Sequence, residues 1–111
     1  MLGLPAGVKV YLASTALDMR KSFDGMSYYV SQELKHDVYS GSLFVFFNKR
    51  HDRVKIFYWD RNGYCYWYKR LEKGVFRLPR TSDKVFKVSV GELSLLLEGI
   101  DLTHKQRLVA C

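Results

Sequence analysis

Cations interleaved with flat rings are the residue types that neutralise nucleic-acid phosphates and stack on bases. Residues 49–87 are built of both. They carry twelve Lys and Arg against four Asp and Glu, a net charge of +8. Residues 1–48 balance to zero, residues 88–111 carry −1, and the whole chain is +7. One contiguous third therefore owns the positive field. Crowding like charge in this way costs self-repulsion and attracts polyanions. The candidate phosphate contacts are Lys49, Arg50, Arg53, Lys55, Arg61, Lys69, Arg70, Lys73, Arg77 and Arg80. The candidate aromatic surface is Phe57, Trp59, Tyr64, Tyr66, Trp67 and Tyr68, rings that pack or stack on unpaired bases. A solvated surface that only keeps the protein soluble has the same composition. Gathering of these side chains in space separates the two readings.

Other chemistry finds little support. His36, His51 and His104 have no Cys or His partner at metal-ligand spacing, so no zinc is expected. Cys65 and Cys111 form no disulfide framework. Asp18 and Asp24 are the carboxylates considered for a metal-dependent nuclease. Six residues apart on a helix, about 1.7 turns, they point to different faces. The glycines outside the N-terminal segment stand singly and build no phosphate-cradling loop, and no serine sits in a nucleophile elbow. The expectation is a protein without metal, cofactor or enzymatic activity. The longest uncharged stretch, Val38 to Asn48, is eleven residues. A membrane-spanning helix needs about 20. No basic segment precedes the apolar start, so a cytoplasmic location is expected.

The 111 residues suit one domain, placed over 1–102 with a loose tail over 103–111. Residues 9–13 read as a first strand. Thr15 and Asp18 have near capping-box spacing. Met19, Phe23, Met26, Val30 and Leu34 then recur every three or four residues, which predicts a helix over about 16–35, with its charged residues off that stripe. Leu43 to Phe47 is an unbroken apolar run of strand length, as in a central strand covered on both faces. Strands follow over 54–59 and 64–71, joined by Asp60-Arg61-Asn62-Gly63, whose Asn-Gly pair suits a type I′ turn. Residues 75–78 and 85–88 read as further short strands. Ser89 caps a last helix over 90–98. The sum is an α+β fold: an antiparallel sheet of about four to six strands, a long N-terminal helix and a short C-terminal one. Short connections favour a meander with the helices on one face. Strands 54–59 and 64–71 carry rings on both faces. That fits a sheet with one aromatic-basic open face, or a sheet buried on both.

Asp18-Met19-Arg20-Lys21-Ser22-Phe23-Asp24-Gly25 resembles a known family: TnpB, the small accessory protein of the insertion-sequence-66 group of bacterial transposable elements. The likeness runs on through Ser40-Gly41, Leu43-Phe44-Val45-Phe46, Asn48-Lys49-Arg50 and Asp52-Arg53-Val54-Lys55-Ile56. It continues in Tyr58-Trp59-Asp60, Lys69 to Phe76 and Leu95 to Asp101, in order over nearly the whole chain. Here the hairpin is Asp60-Arg61-Asn62-Gly63 where the family often has Asp-Gly-Asp-Gly, and the basic, Trp-containing tail is missing. The resemblance implies a non-catalytic helper in transposition. Its partners would be DNA at the element ends, a separate transposase bearing the catalytic acids, and another accessory protein of the same element. An adapter docked on the transposase without touching DNA is the alternative.

Overall fold

A computed structural model describes residues 7–99. The proposed tail, His104 and Cys111 lie outside the described residues. Five strands form one sheet: β1 (Val10–Ala13), β2 (Leu43–Phe47), β3 (Arg53–Asp60), β4 (Gly63–Arg70) and β5 (Val85–Val88). Their spatial order is β4-β3-β2-β1-β5. The helices are α1 (Phe23–Tyr28), continued by a π-helical turn (Tyr29–Glu33), and α2 (Val90–Leu97).

The sheet is mixed, which corrects the antiparallel expectation. β1 and β2 run parallel, Val10 beside Leu43 and Leu12 beside Val45. The three other pairings are antiparallel. The reason lies in the connection over 14–42. A parallel pair needs a crossover of a dozen residues or more, and this is the long connection that supplies it.

The helices also cover opposite faces rather than one. Alternation along β2 sends Leu43, Val45 and Phe47 toward α2, where they meet Leu93, Leu96 and Leu97. It sends Phe44 and Phe46 toward Met26 and Val30 on the α1 side. All five β2 side chains are buried, as the unbroken apolar run implies.

The first helix is far shorter than the apolar stripe predicts. Its N-cap is Ser22, whose Oγ accepts from the Gly25 amide, and not the Thr15–Asp18 pair. Asp18 is taken up by a tighter local structure, since its carboxylate accepts from the Arg20 backbone N–H at 2.9 Å. An Asp that bonds two residues ahead makes a turn instead of a cap. Through α1, the π turn and its C-cap the buried apolar residues are Met26, Val30 and Leu34, in steps of four. An α-helix of 3.6 residues per turn would rotate that series off the sheet. The wider π turn, with Leu34 N–H bonded to Tyr29 O at 3.0 Å, holds it in line.

No strand forms over 75–78. Phe76 is instead a buried plug whose ring lies 5.6 Å from that of Phe47. Its N–H bonds the His51 carbonyl, a single tie in place of a ladder. β5 and α2 follow the sequence closely. Ser89 and Glu92 complete a reciprocal capping box at the start of α2. The β3–β4 hairpin has a two-residue turn, but its positive φ (50°) falls on Arg61 rather than on the Asn-Gly pair.

Candidate nucleic-acid interface

The turn between β2 and β3 is rigidly built. The Asn48 side chain donates to Asp52 at 2.6 Å and accepts the Arg53 N–H at 2.9 Å. His51 takes a left-handed backbone (φ 59°). The Asn48 amide, aided by the charges of Arg50 and Arg53, holds the Asp52 carboxyl below the usual range. Closed in this way, the turn leaves Lys49 and Arg50 exposed at its tip.

The 14–21 loop lies against this turn. Leu17 N–H bonds the Phe47 carbonyl at 2.9 Å. The ammonium of Lys55 reaches Met19 O at 2.6 Å and Lys21 O at 3.5 Å. Arg20 is braced by Asp18 through Nε at 3.1 Å and Nη2 at 2.8 Å. Together the loop and the turn enclose a groove of about 560 Å³. Ala16, Leu17 and Met19 supply apolar lining, and Arg20, Lys49, Arg50 and Arg53 supply charge. A second hollow of about 400 Å³, lined by Arg53, Tyr68, Arg70 and Glu72, shares Arg53 with the first.

Of the ten candidate cations, Lys49, Arg50, Arg53 and Arg70 meet at these two hollows. Arg53 stands directly opposite Arg70 on the β3–β4 ladder. Like charges so placed destabilise a sheet, and the exposed Arg70–Glu72 pair (3.0 Å) offsets only part of that. Lys73, Arg77 and Arg80 approach the same end. Leu71 N–H and Phe76 N–H both bond the β2–β3 turn, at Asp52 O and His51 O, so Lys73 and Arg77 are held near it. Arg80 shares a cavity lining with His51 and Ser14.

Three candidates go elsewhere. Arg61 is at the far end of the hairpin, beside Asp60. Lys69 lies on the α2 face and donates to the Leu97 carbonyl at 3.0 Å, closing the helix C-terminus. Lys55 is only 3% exposed and serves the 14–21 loop from inside.

The rings divide too. Phe57 is fully buried and forms no surface. Trp67 packs on the α2 face, which corrects its grouping with the others. Trp59 and Tyr64 pack against Tyr39, far from the groove along β3 and β4. Tyr66 and Tyr68 remain on the groove's face of the sheet, 40% and 44% exposed.

Arg20 is the groove residue that sequence reasoning missed, because a helix over 16–35 put it on a solvated face. Its signal was its place in the Asp18-to-Gly25 motif. Among the described residues no three His, Cys, Asp or Glu gather as a metal site.

The pairing gives Asp18 a testable signature. The Arg20 side chain, then its backbone N–H, hold the Asp18 carboxyl well below the usual carboxylate range. A carboxyl lowered in the folded state stabilises it above the unfolded pKa, and the benefit fades only as pH falls through the folded one. The carboxyl carbon shift of Asp18 should therefore stay flat by NMR from about pH 5 to pH 3, where an ordinary aspartate titrates. A midpoint near 4 would show that the Arg20 brace is not formed.

The family described as IS66 Orf2-like protein matches residues 8–107, which covers every element of the fold. The chain belongs to the IS66 Orf2-like family. It is thus an accessory protein of an insertion sequence. Two relatives, both from Sinorhizobium fredii, carry the titles "Uncharacterized protein y4jC" and "Uncharacterized protein y4hO". The first is 36% identical over 107 residues, 96% of this chain and 92% of its own length. The second is 36% identical over 105 residues, 93% and 91%. No solved structure gives a significant match. Both walls of the groove, the 14–21 loop and the 48–52 turn, fall inside the span matched by the IS66 Orf2-like family. Among the described residues no helix is long and apolar enough to cross a membrane.

Proposed function

We propose that this accessory protein acts by binding DNA without catalysing its cleavage, through the cationic end of its sheet. The observation that carries the reading is the meeting of Arg53 with Arg70 across one strand pair, beside Lys49 and Arg50. Surface ion pairs join Arg20 to Asp18, Arg61 to Asp60, Arg70 to Glu72 and Lys84 to Glu33, while Asp52, which acts on Arg50 and Arg53 through its charge, is itself held by the Asn48 amide. Phosphates would discharge the repulsion that the fold tolerates there. The candidate cations of the basic segment thus act as two groups: those at the β2–β3 end, which hold phosphate, and Lys55, Lys69 and Arg61, which hold the fold or point away. DNA at the ends of the element, in the cytoplasm, is the natural ligand. The transposase supplies the chemistry.

Binding by charge alone is weak, with Kd about 10⁻⁴ to 10⁻⁶ M at physiological salt. Three to five phosphate contacts give a log–log salt slope of about −2.7 to −4.5 on duplex DNA and about −2.1 to −3.5 on a single strand. A filter-binding titration from low to moderate salt should return that slope. A slope near zero would remove the reading.

Exposed Tyr28 and Tyr39, which line neither hollow, favour a second role as an adapter on the transposase. Rings of this kind are enriched at interface centres. Capture by the transposase that survives about 0.5 M salt, where screening lengths shrink to a few ångströms, would mark such docking. Capture lost at that salt would speak for DNA as the bridge.

A further inference from the structure

We infer that the DNA taken by this surface is single-stranded, with unpaired bases stacking on Tyr68 and Tyr66 while the adjoining phosphates sit on Arg53, Arg70 and Arg50. The inference rests on the DNA-binding reading and narrows it to one class of nucleic acid.

Three observations carry it. First, the exposed rings form a row that begins at the cations. Tyr68 faces Lys55 across the β3–β4 pair, one pleat from the Arg53–Arg70 pair, and its hydroxyl lies 3.4 Å from Arg53 Nη1. Tyr66 is next along the same face and meets the exposed ring of Phe23 at 4.7 Å. Second, the ring spacing suits separated bases. Residues two apart on a strand are about 6.6 Å apart along its axis. Bases in a duplex strand repeat every ~3.4 Å. Neighbouring rings can each receive a base only when the bases have come apart from one another, and a paired duplex offers no free base faces along its length. Third, the row has a cation beneath it. Lys55 Nζ lies 4.5 Å from the Tyr66 centroid and 5.2 Å from that of Tyr68. A cation on one side of a ring occupies that side and draws on its electron density. The open side is left as a less electron-rich platform, which favours a stacked, electron-rich base. The buried Lys55 therefore does two things at once: it fixes the 14–21 wall of the groove and it backs the stacking rings.

The reading separates cleanly from simple phosphate binding. Phosphate contacts alone treat single strands and duplexes by charge density and ignore the bases. Stacking on a ring is worth enough that removing it weakens single-strand binding about tenfold.

The test is fluorescence anisotropy with a labelled single-stranded 12-mer and the corresponding hairpin duplex, at one fixed salt concentration. Wild-type protein should bind the single strand at least about fivefold more tightly than the duplex. Tyr68→Ala should weaken the single strand about tenfold and the duplex less than twofold, and Tyr68→Phe should restore wild-type binding. A 12-mer with three adjacent abasic sites keeps every phosphate and needs no altered protein. It should bind the wild type about tenfold more weakly, so the inference stays testable even if Tyr68→Ala does not fold. Equal binding of single strand, abasic strand and duplex, with Tyr68→Ala unchanged, would overturn the single-strand inference and leave the DNA reading standing. Absence of binding to any of the three would overturn both.

Discussion

Arg50→Glu combined with Arg53→Glu should weaken DNA binding on the order of a hundredfold at low salt. Each lost charge-assisted contact costs about 1.5 kcal/mol, and 1.4 kcal/mol is a factor of ten. The salt slope should also shrink, by roughly 1.8 on duplex DNA at about 0.9 per phosphate contact and by roughly 1.4 on a single strand at about 0.7. The fold should not suffer. Arg50 is exposed and Arg53 half-buried, and surface changes of this sort stay within about 0.5 kcal/mol. A glutamate at 53 would even face Arg70 as an opposite charge in place of a like one. Arg61→Glu is the matched control. It makes half that change of charge at the other end of the hairpin, and its effect should be below about twofold at moderate salt, where charges beyond ~10 Å are screened. If both variants weaken binding equally, the protein responds to net charge and the groove has no special part.

Lys55→Ala should be the most damaging single change for the fold among the basic residues. The substitution empties the volume of a long buried side chain and leaves the Met19 carbonyl without its 2.6 Å partner. Large-to-small core changes cost about 2–5 kcal/mol, and the half-buried Met19 acceptor left without its partner adds about 1. A loss near 3 kcal/mol lowers the melting temperature by roughly 10 °C or more in a domain of this size. Lys55→Met keeps most of the volume and loses only the ammonium, so it should cost about half as much. Thermal unfolding of the two variants separates packing from hydrogen bonding. Both melting within about 2 °C of wild type would mean that Lys55 lies in solvent and belongs with the phosphate contacts after all.

What the residues disclosed and what they withheld follow from the range of the interactions. β2, β5, α2 and the β3–β4 hairpin were legible because local signals decide them: an unbroken apolar run, a Ser-x-x-Glu capping box, two strands joined by turn residues; the turn itself falls on Arg61-Asn62 and not on the Asn-Gly pair. The first helix was overread because an apolar stripe at 19, 23, 26, 30 and 34 does not reveal that Asp18 prefers the Arg20 amide, or that Lys55, 36 residues away, will claim Met19 O. The parallel β1–β2 pairing was hidden because strand direction is set by the crossover over 14–42, and a period-2 pattern carries no direction. The charge of the candidate site was legible, but its sorting was not. Lys55, Lys69 and Arg70 read alike in sequence. Only the register shows that Lys69 faces α2 while Lys55 and Arg70 share the other face. Phe57 and Tyr66 are a similar case: they pair across the sheet, yet one is buried by the α1 side and the other lies on the outer strand.

The measurement that bears most directly on the cationic end as the DNA site is amide shift mapping of ¹⁵N-labelled protein titrated with a 12-nucleotide single strand. The largest shifts should fall in three segments that are distant in sequence and adjacent in space: Asp18–Lys21, Asn48–Arg53 and Tyr66–Arg70. The Asp60–Gly63 turn and α2 should stay still. Largest shifts at that turn or along α2, with the β2–β3 turn unmoved at saturating DNA, would contradict the account.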